Sequence, residues 1–264
     1  MSRFIVGDIH GSYDKLMKAL ELCGFSDSDT LYCTGDIGDR GPKVRECIEF
    51  LMSLGDRFKS VIGNHDIWAY LKLTGDLRRN ERDVWRYNGG QSTINAFNTM
   101  DNLEEVKSWY DKFPYIIEED TFRVVHTPTF DYKLENSSIP FNQVTMSNLC
   151  ESGILDRTFG YDDELFDRSI VRSSEYFTVN GGTKKPAYTS WLLNDKLTIV
   201  GHTPLTSGIL YDKTMNLCDI DTGGFCIYKV NGYEGRITVL NMDTEDFVDS
   251  SGFSSNLEKL RASA

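Results

Sequence analysis

The 264-residue chain contains four histidines, and each stands where an apolar run gives way to a turn rich in Gly, Asp, Asn or Pro. His10 lies in Val6-Gly7-Asp8-Ile9-His10-Gly11, His65 in Gly63-Asn64-His65-Asp66, His126 after Phe122 to Val125, and His202 in Gly201-His202-Thr203-Pro204. A further turn of the same kind, Gly35-Asp36-Ile37-Gly38-Asp39-Arg40-Gly41, brings two carboxylates and a guanidinium. One such histidine alone reads as a hydrogen-bonded structural imidazole. Together with Asp8, Asp36 and Asn64 the set reads as metal ligands, because carboxylate, imidazole and amide oxygen suit manganese, iron or zinc more than calcium. Six candidate ligands are too many for one cation that keeps open positions, but they suit two cations sharing a carboxylate. Such a pair, about 3.5 to 4 Å apart, clamps a phosphoryl group and lowers the pKa of a bridging water towards neutrality.

The elements that must position these residues are legible in the spacing. Asp8, Asp36 and Asn64 follow one another at intervals of 28 residues, close to the length of a βαβ unit, so three units would set three loops side by side at one end of a parallel sheet. After the first loop, Ser12 is a plausible cap, Leu16, Leu20 and Cys23 recur at helical spacing, and Gly24 suits the C-terminal cap. Thr30 to Thr34 reads as a buried strand. Pro42 suits the first turn of a second helix with Val44, Cys47, Ile48 and Leu51 as its buried stripe and Gly55 at its end, and Phe58 to Ile62 is the third strand. Arg78, Arg79, Arg82 and Arg86 read as a solvated helix face leading into the 85–93 stretch (WRYNGGQST), which is expected to cap the site.

Further on, Asn102 to Phe113 reads as an amphipathic helix, and Tyr115 to Glu118 with Phe122 to His126 as a hairpin. Residues 127–196 are rich in Ser, Asn and Asp and read as an insertion covering the site, with a helix near Glu164 to Val171 and a loop at Gly181-Gly182. Leu197 to Val200 leads into His202, and short strands are expected at Gly208 to Tyr211, Leu217 to Ile220, Phe225 to Val230 and Arg236 to Asn241. The domain reading is one catalytic unit over 1–242 and a polar, acidic tail over 243–264, loosely docked as a helix or frayed.

Composition bounds the rest. A hydrophobic content of 40% supplies a sizeable core. The net charge of −12 opposes attraction to nucleic acid or anionic membranes, so neither is expected as a partner. An anionic substrate then needs a local positive site, which divalent cations supply. Cys23, Cys33, Cys47, Cys150, Cys218 and Cys226 form no C-x-x-C pair and read as reduced packing residues. The opening residues show no basic segment running into an apolar one, and no apolar stretch approaches about 18 residues, so neither a signal peptide nor a membrane span is expected and a cytoplasmic location is.

In order along the chain, GDIHG, GDIGDRG, GNHD, the strand-end His126 and GHTP resemble the motifs of the phosphoprotein phosphatase branch of the calcineurin-like metallophosphoesterases. The resemblance implies an α/β fold, a four-layer α/β/β/α sandwich with two mixed central sheets. It implies two divalent cations, manganese foremost with iron or zinc as alternatives. Asp8 and His10 would hold one, Asp36 would bridge, and Asn64, His126 and His202 would hold the other. It further implies that His65 is a general acid oriented by Asp39, and that Arg40 binds a phosphate oxygen. Asp39 has an alternative as a turn carboxylate paired with Arg40. A second phosphate-binding arginine is expected from Phe166-Asp167-Arg168, with Arg172 and Arg157 as rivals to Arg168. Ile220-Asp221-Thr222-Gly223-Gly224 resembles the family's glycine turn and is expected to support the His202 loop.

The sequence departs from that branch in places. Asp66 stands where protein phosphatases usually have Glu, and Thr127-Pro128 where a small pair with Gly is usual. The expected activity is hydrolysis of phosphate monoesters, phosphoserine and phosphothreonine in proteins first, by a hydroxide activated at the dinuclear centre. The alternative is symmetrical dinucleoside tetraphosphate hydrolysis, since those enzymes share GNHD. They usually lack an Asp at the position of Asp39, and the 85–93 stretch resembles phage-type and bacterial protein phosphatases. A catalytically inactive binding scaffold is a third reading, disfavoured because every ligand and the acid are retained. The substrate is thus a phosphoprotein or a small phosphate ester, and the sequence leaves the oligomeric state open.

Overall fold

A computed structural model describes residues 1–127, 143–151, 195–205, 208–213, 215–226 and 234–263. The repeated strand, loop and helix of the first third form as expected. β1 (Arg3–Val6), β2 (Thr30–Cys33) and β3 (Phe58–Ser60) pair in parallel. Between them run α1 (Tyr13–Cys23), closed by Gly24 at φ 73°, and α2 (Val44–Ser53), and α3 (Asn64–Thr74) follows β3. Ser12 precedes α1 without a side-chain cap, its hydroxyl lying 3.4 Å from the carbonyl of His10. The third strand stops short of Ile62, yet the chain stays tied down, since the Val61 amide donates to Cys33 and that of Ile62 to Pro114.

Alternation along these strands sorts the core into two layers. Phe4 and Val6 of β1 and Leu31 and Cys33 of β2 join a cluster with Leu16, Ile48 and Leu51 from the helices. The intervening Ile5 and Tyr32 face the other way, into a cluster with Phe122, Val124, Ile199 and Cys218. That second cluster is the seam between two sheets. The second sheet contains β4 (Ile116–Glu118), β5 (Phe122–Val125), β6 (Leu197–Val200), β7 (Leu210–Asp212) and β8 (Leu217–Asp219), in the order β4-β5-β6-β8-β7. Its three central strands are parallel and its two edge strands antiparallel. Both sheets are therefore mixed, and the fold is the layered α/β architecture expected. No helix among the described residues is long and apolar enough to cross a membrane.

The region after β3 carries α4 (Arg79–Trp85), a π turn over Arg86–Gly90, α5 (Gln91–Phe97) and α6 (Leu103–Tyr110). Arg78, Arg79, Arg82 and Arg86 are all exposed, as a solvated face requires. Two expectations change. The stretch after Met242 is not a loose tail but adds two strands to the first sheet: β9 (Thr238–Asn241) pairs with β1, β10 (Asp246–Asp249) with β9, and β11 (Ser254–Asn256) with β10. A terminal helix, Leu257–Ser263, then buries Leu257 fully in the seam. The acidic flanks of Phe247-Val248 hide a strand too short to show a period, and pairing with β9 makes it one. Phe225 lies in a turn instead of opening a strand, and 227–230 fall outside the described residues. So do the expected helix over 164–171, the 181–182 loop, and Arg157, Arg168 and Arg172.

Candidate metal centre

The loops at the ends of β1, β2, β3, β5 and β6 meet at the same end of the two sheets. Sharp reversals are needed to turn side chains back over strand ends, and the backbone shows them. His10 (φ 45°), Asp36 (52°), Asp39 (70°), Arg40 (58°) and His202 (75°) all adopt the left-handed region, which costs a non-glycine residue roughly 1–3 kcal/mol. Only Asn216 and Glu245 join them among the described residues, so the strain is concentrated at the residues singled out for chemistry. Two glycines are required by close approach. A Cβ on Gly201 would fall 2.1 Å from Asp8 Oδ1, and one on Gly63 would fall 2.2 Å from Asp36 Oδ1.

Hydrogen bonds lock the loops to one another. The His10 amide donates to the carbonyl of Asp36 at 2.9 Å, the His65 amide to Asp36 Oδ1 at 2.9 Å, and the His202 amide to Asp8 Oδ2 at 3.0 Å. Asp66, whose motif position departs from protein phosphatases, has a direct structural task. Its buried carboxylate accepts the amides of Asp36 (2.8 Å), Ile37 (3.1 Å) and Gly63 (3.0 Å), joining the second loop to the third. Burial and the nearby Asp36 push its carboxyl well above the usual range, while those three amides act in the opposite sense.

The histidine tautomers follow from carbonyl partners, which only accept. His10 Nδ1–H donates to Gly38 O and His126 Nδ1–H to Thr34 O, both at 2.8 Å, so each turns the lone pair of Nε2 inward. Those atoms lie 3.5 and 3.6 Å from Asp36 Oδ2. Asn64 Oδ1 is 3.0 Å from both His126 Nε2 and His202 Nδ1. Donor atoms of His10, Asp36 and His65 form one group compact enough for a metal ion, and those of Asp36, His126 and His202 a second, with Asp36 common to both. Asp8 sits beside them, with Oδ1 accepting the Thr34 hydroxyl at 2.8 Å. The donor set thus fits divalent cations: imidazoles fixed by their outer nitrogens, and a shared carboxylate.

Electrostatics point the same way. Burial, then the Arg40 charge, drives His10 well below the usual imidazole range, and burial lowers His126, so both imidazoles stay neutral and keep a lone pair free for a cation. Burial works to raise Asp36, but the surrounding imidazoles, His126 foremost, outweigh it and hold the carboxyl low. Burial, followed by the charges of Asp221 and Asp36, raises Asp8 well above its usual value, a repulsion that bound cations would relieve.

Beside the metal-donor groups stands a second arrangement. His65 Nδ1 is 2.5 Å from Asp39 Oδ2, and Asp39 is completely buried. Trp85 Nε1–H donates to the same Oδ2 at 2.5 Å, and the Thr93 hydroxyl donates to Oδ1 while accepting the Asp39 amide at 2.8 Å. Asp39 is therefore bound to His65 and the 85–93 stretch, and no ion pair to its neighbour Arg40 is formed. Trp85 and Thr93 are the site residues that sequence reasoning did not single out individually. Arg40 reaches over instead, donating from Nη1 to His10 Nε2 at 2.8 Å and from Nη2 to His65 Nε2 at 3.0 Å.

Comparison with known proteins gives the setting for this geometry. A family model described as calcineurin-like phosphoesterase matches residues 1–150. A symmetrical bis(5'-nucleosyl)-tetraphosphatase of Vibrio campbellii is 30% identical over 189 residues, covering 70% of this chain and 67% of that one. One of Buchnera aphidicola is 50% identical over 182 residues, covering 67% of this chain and 60% of that one. A cold-active protein-tyrosine phosphatase of a psychrophilic Shewanella superposes with a TM-score of 0.56 at 18% identity, over 97% of this chain and 80% of that one, a likeness of fold alone.

Proposed function

The chain belongs to the calcineurin-like phosphoesterase family, and on that footing we propose that it hydrolyses phosphate anhydrides and esters, with dinucleoside tetraphosphates as its main substrate class. The reading is carried by two donor groups sharing Asp36, and the substrate class by the tetraphosphatases among its curated relatives. His10 and Asp36 of the first group, with the adjacent Asp8 in place of His65, would hold one cation, and Asp36, Asn64, His126 and His202 the other, with manganese as the first candidate and iron or zinc as alternatives. When bound, such a pair clamps phosphoryl oxygens and lowers the pKa of a water molecule. Arg40 offers two N–H groups at the edge of this cluster and would neutralise a further phosphoryl oxygen. In the proposed reaction water adds to an inner phosphorus, the bond to a bridging oxygen breaks, and two nucleoside diphosphates leave.

Sequence alone ranked phosphoserine and phosphothreonine first; the curated relatives move the tetraphosphate ahead of them. One observation keeps the monoester reading as a second. A nucleoside diphosphate leaves without help, whereas an alkoxide must be protonated, and the His65–Asp39 contact is an arrangement for delivering a proton. Turnover of diadenosine tetraphosphate and of a phosphoserine peptide, measured side by side with manganese, separates the two. A kcat/KM at least about tenfold higher for the tetraphosphate, with only nucleoside diphosphate as product, is expected; preference for the peptide would reverse the order.

A further inference from the structure

The turn Ile220-Asp221-Thr222-Gly223-Gly224 does support the His202 loop, through the Leu205 amide donating to Asp221 O at 2.9 Å. That contact leaves unexplained why the chain runs on into Phe225. The Phe225 ring lies under the Arg40 guanidinium, 4.4 Å from Cζ to the ring centroid, and meets the His10 ring edge-on at 5.2 Å. On either side of Phe225 the backbone is gripped by one residue. Lys15, half-buried on α1, uses the three hydrogens of its ammonium on Gly224 O (2.8 Å), Cys226 O (3.2 Å) and Gly235 O (2.6 Å). We infer that Phe225 is a positioning residue that sets the Arg40 guanidinium for phosphate, and that Lys15 holds Phe225 in place.

The physical reason lies in which contacts of Arg40 outlast catalysis. His10 Nε2 has one lone pair, so it cannot serve a cation and accept from Arg40 at once. Once that bond is given up, the guanidinium keeps its 3.0 Å bond from Nη2 to His65 Nε2, a 3.4 Å contact from Nε to Asn88 O and the ring face of Phe225. A ring face attracts a cation through its quadrupole and needs no lone pair aimed at one donor, so the guanidinium stays supported as it turns towards an anion. Lys15 matters because it ties the turn to α1, which begins at the end of the first metal loop. Arg40, Phe225 and His10 are thereby referred to one rigid element.

The inference rests on the proposed role of Arg40 in binding phosphate, and the test separates the two. With the manganese-loaded enzyme and an aryl phosphate as substrate, inorganic phosphate serves as competitive inhibitor. Phe225→Leu is expected to raise KM and the phosphate inhibition constant together by about 3- to 10-fold, the range of a partly exposed cation–π contact, with kcat within about twofold. Phe225→Tyr, which keeps the ring, restores wild-type values, and Lys15→Met moves both constants in the same direction as Phe225→Leu. If Arg40→Ala weakens phosphate inhibition and Phe225→Leu does not, the inference falls and the Arg40 role stands. If Arg40→Ala leaves inhibition unchanged, both fall. Equal losses in the Leu and Tyr variants, or a raised manganese requirement in place of weaker phosphate inhibition, also overturn the inference, since packing or the His10 contact would then be what matters. Should Phe225→Leu fail to fold, Lys15→Met and Phe225→Tyr decide it by the same measurements.

Discussion

Asp66→Asn isolates the joint between the second and third metal loops, because it keeps the shape and removes one acceptor. The carboxylate takes the Asp36 and Gly63 amides on Oδ2 and the Ile37 amide on Oδ1. An asparagine oxygen placed at the two-amide position leaves its own N–H₂ facing the Ile37 amide, donor against donor, in a place closed to water. A hydrogen bond to a charged acceptor contributes about 1.5–3 kcal/mol, and a buried donor left without a partner costs about 1–3 kcal/mol. The two overlap, and removing a charge that Asp36 repels offsets part, so a net loss of about 2–3 kcal/mol is expected. For a chain of this length each kcal/mol moves the melting temperature by roughly 2–4 °C, which gives a fall of roughly 4–12 °C. The assay is thermal unfolding followed by circular dichroism in chelator, so that metal binding does not mask the change. A melting temperature within about 1 °C of wild type would refute the reasoning: it would mean that Asp66 is already protonated in the fold and that Asn replaces it without loss.

Thr93→Val removes one of the donors on Asp39 without touching His65, and should lower kcat about tenfold for alkyl phosphates but less than threefold for aryl phosphates, compared in steady-state assays. Gly201→Ala drives a Cβ against Asp8 Oδ1 and Thr34 Oγ1, so manganese binding measured by calorimetry should weaken at least about tenfold even if the fold survives. Phe247→Ala empties a buried position of β10 in the seam between the sheets and should cost about 3–5 kcal/mol in urea unfolding, whereas a frayed tail would lose less than about 0.5 kcal/mol.

What the sequence revealed and what it hid divide along a physical line. The candidate metal donors were legible because each lies at a strand end announced by a local signal, an apolar run followed by a turn, and because the interval of 28 residues betrays the repeating unit. Asp39 could be read two ways, since sequence places it next to Arg40 and only folding brings it 2.5 Å from His65. Trp85 and Thr93 could be placed near the site but not given a task, because they reach Asp39 across more than 40 residues of chain. β10 and β11 escaped notice for a related reason: Phe247 and Val248 become strand residues through β9, which is itself paired to the first strand of the chain.

The His65–Asp39 contact and the tetraphosphatase relatives make different demands on one site. Hydrolysis of a phosphoanhydride needs charge neutralisation at phosphorus and little else, because the departing diphosphate is a weak base. Maintaining Asp39 fully buried, with donors from His65, Trp85 and Thr93 around it, removes a carboxylate from water at a cost that only those bonds offset. An arrangement of that kind affects the rate only where the leaving group must be protonated. On the proposed reading, the metal donors and Arg40 would govern whether a phosphoryl group is attacked at all, and the His65–Asp39 pair would govern which leaving groups depart. Leaving-group sensitivity, more than fold or metal content, is the property that distinguishes the two substrate readings in this chain.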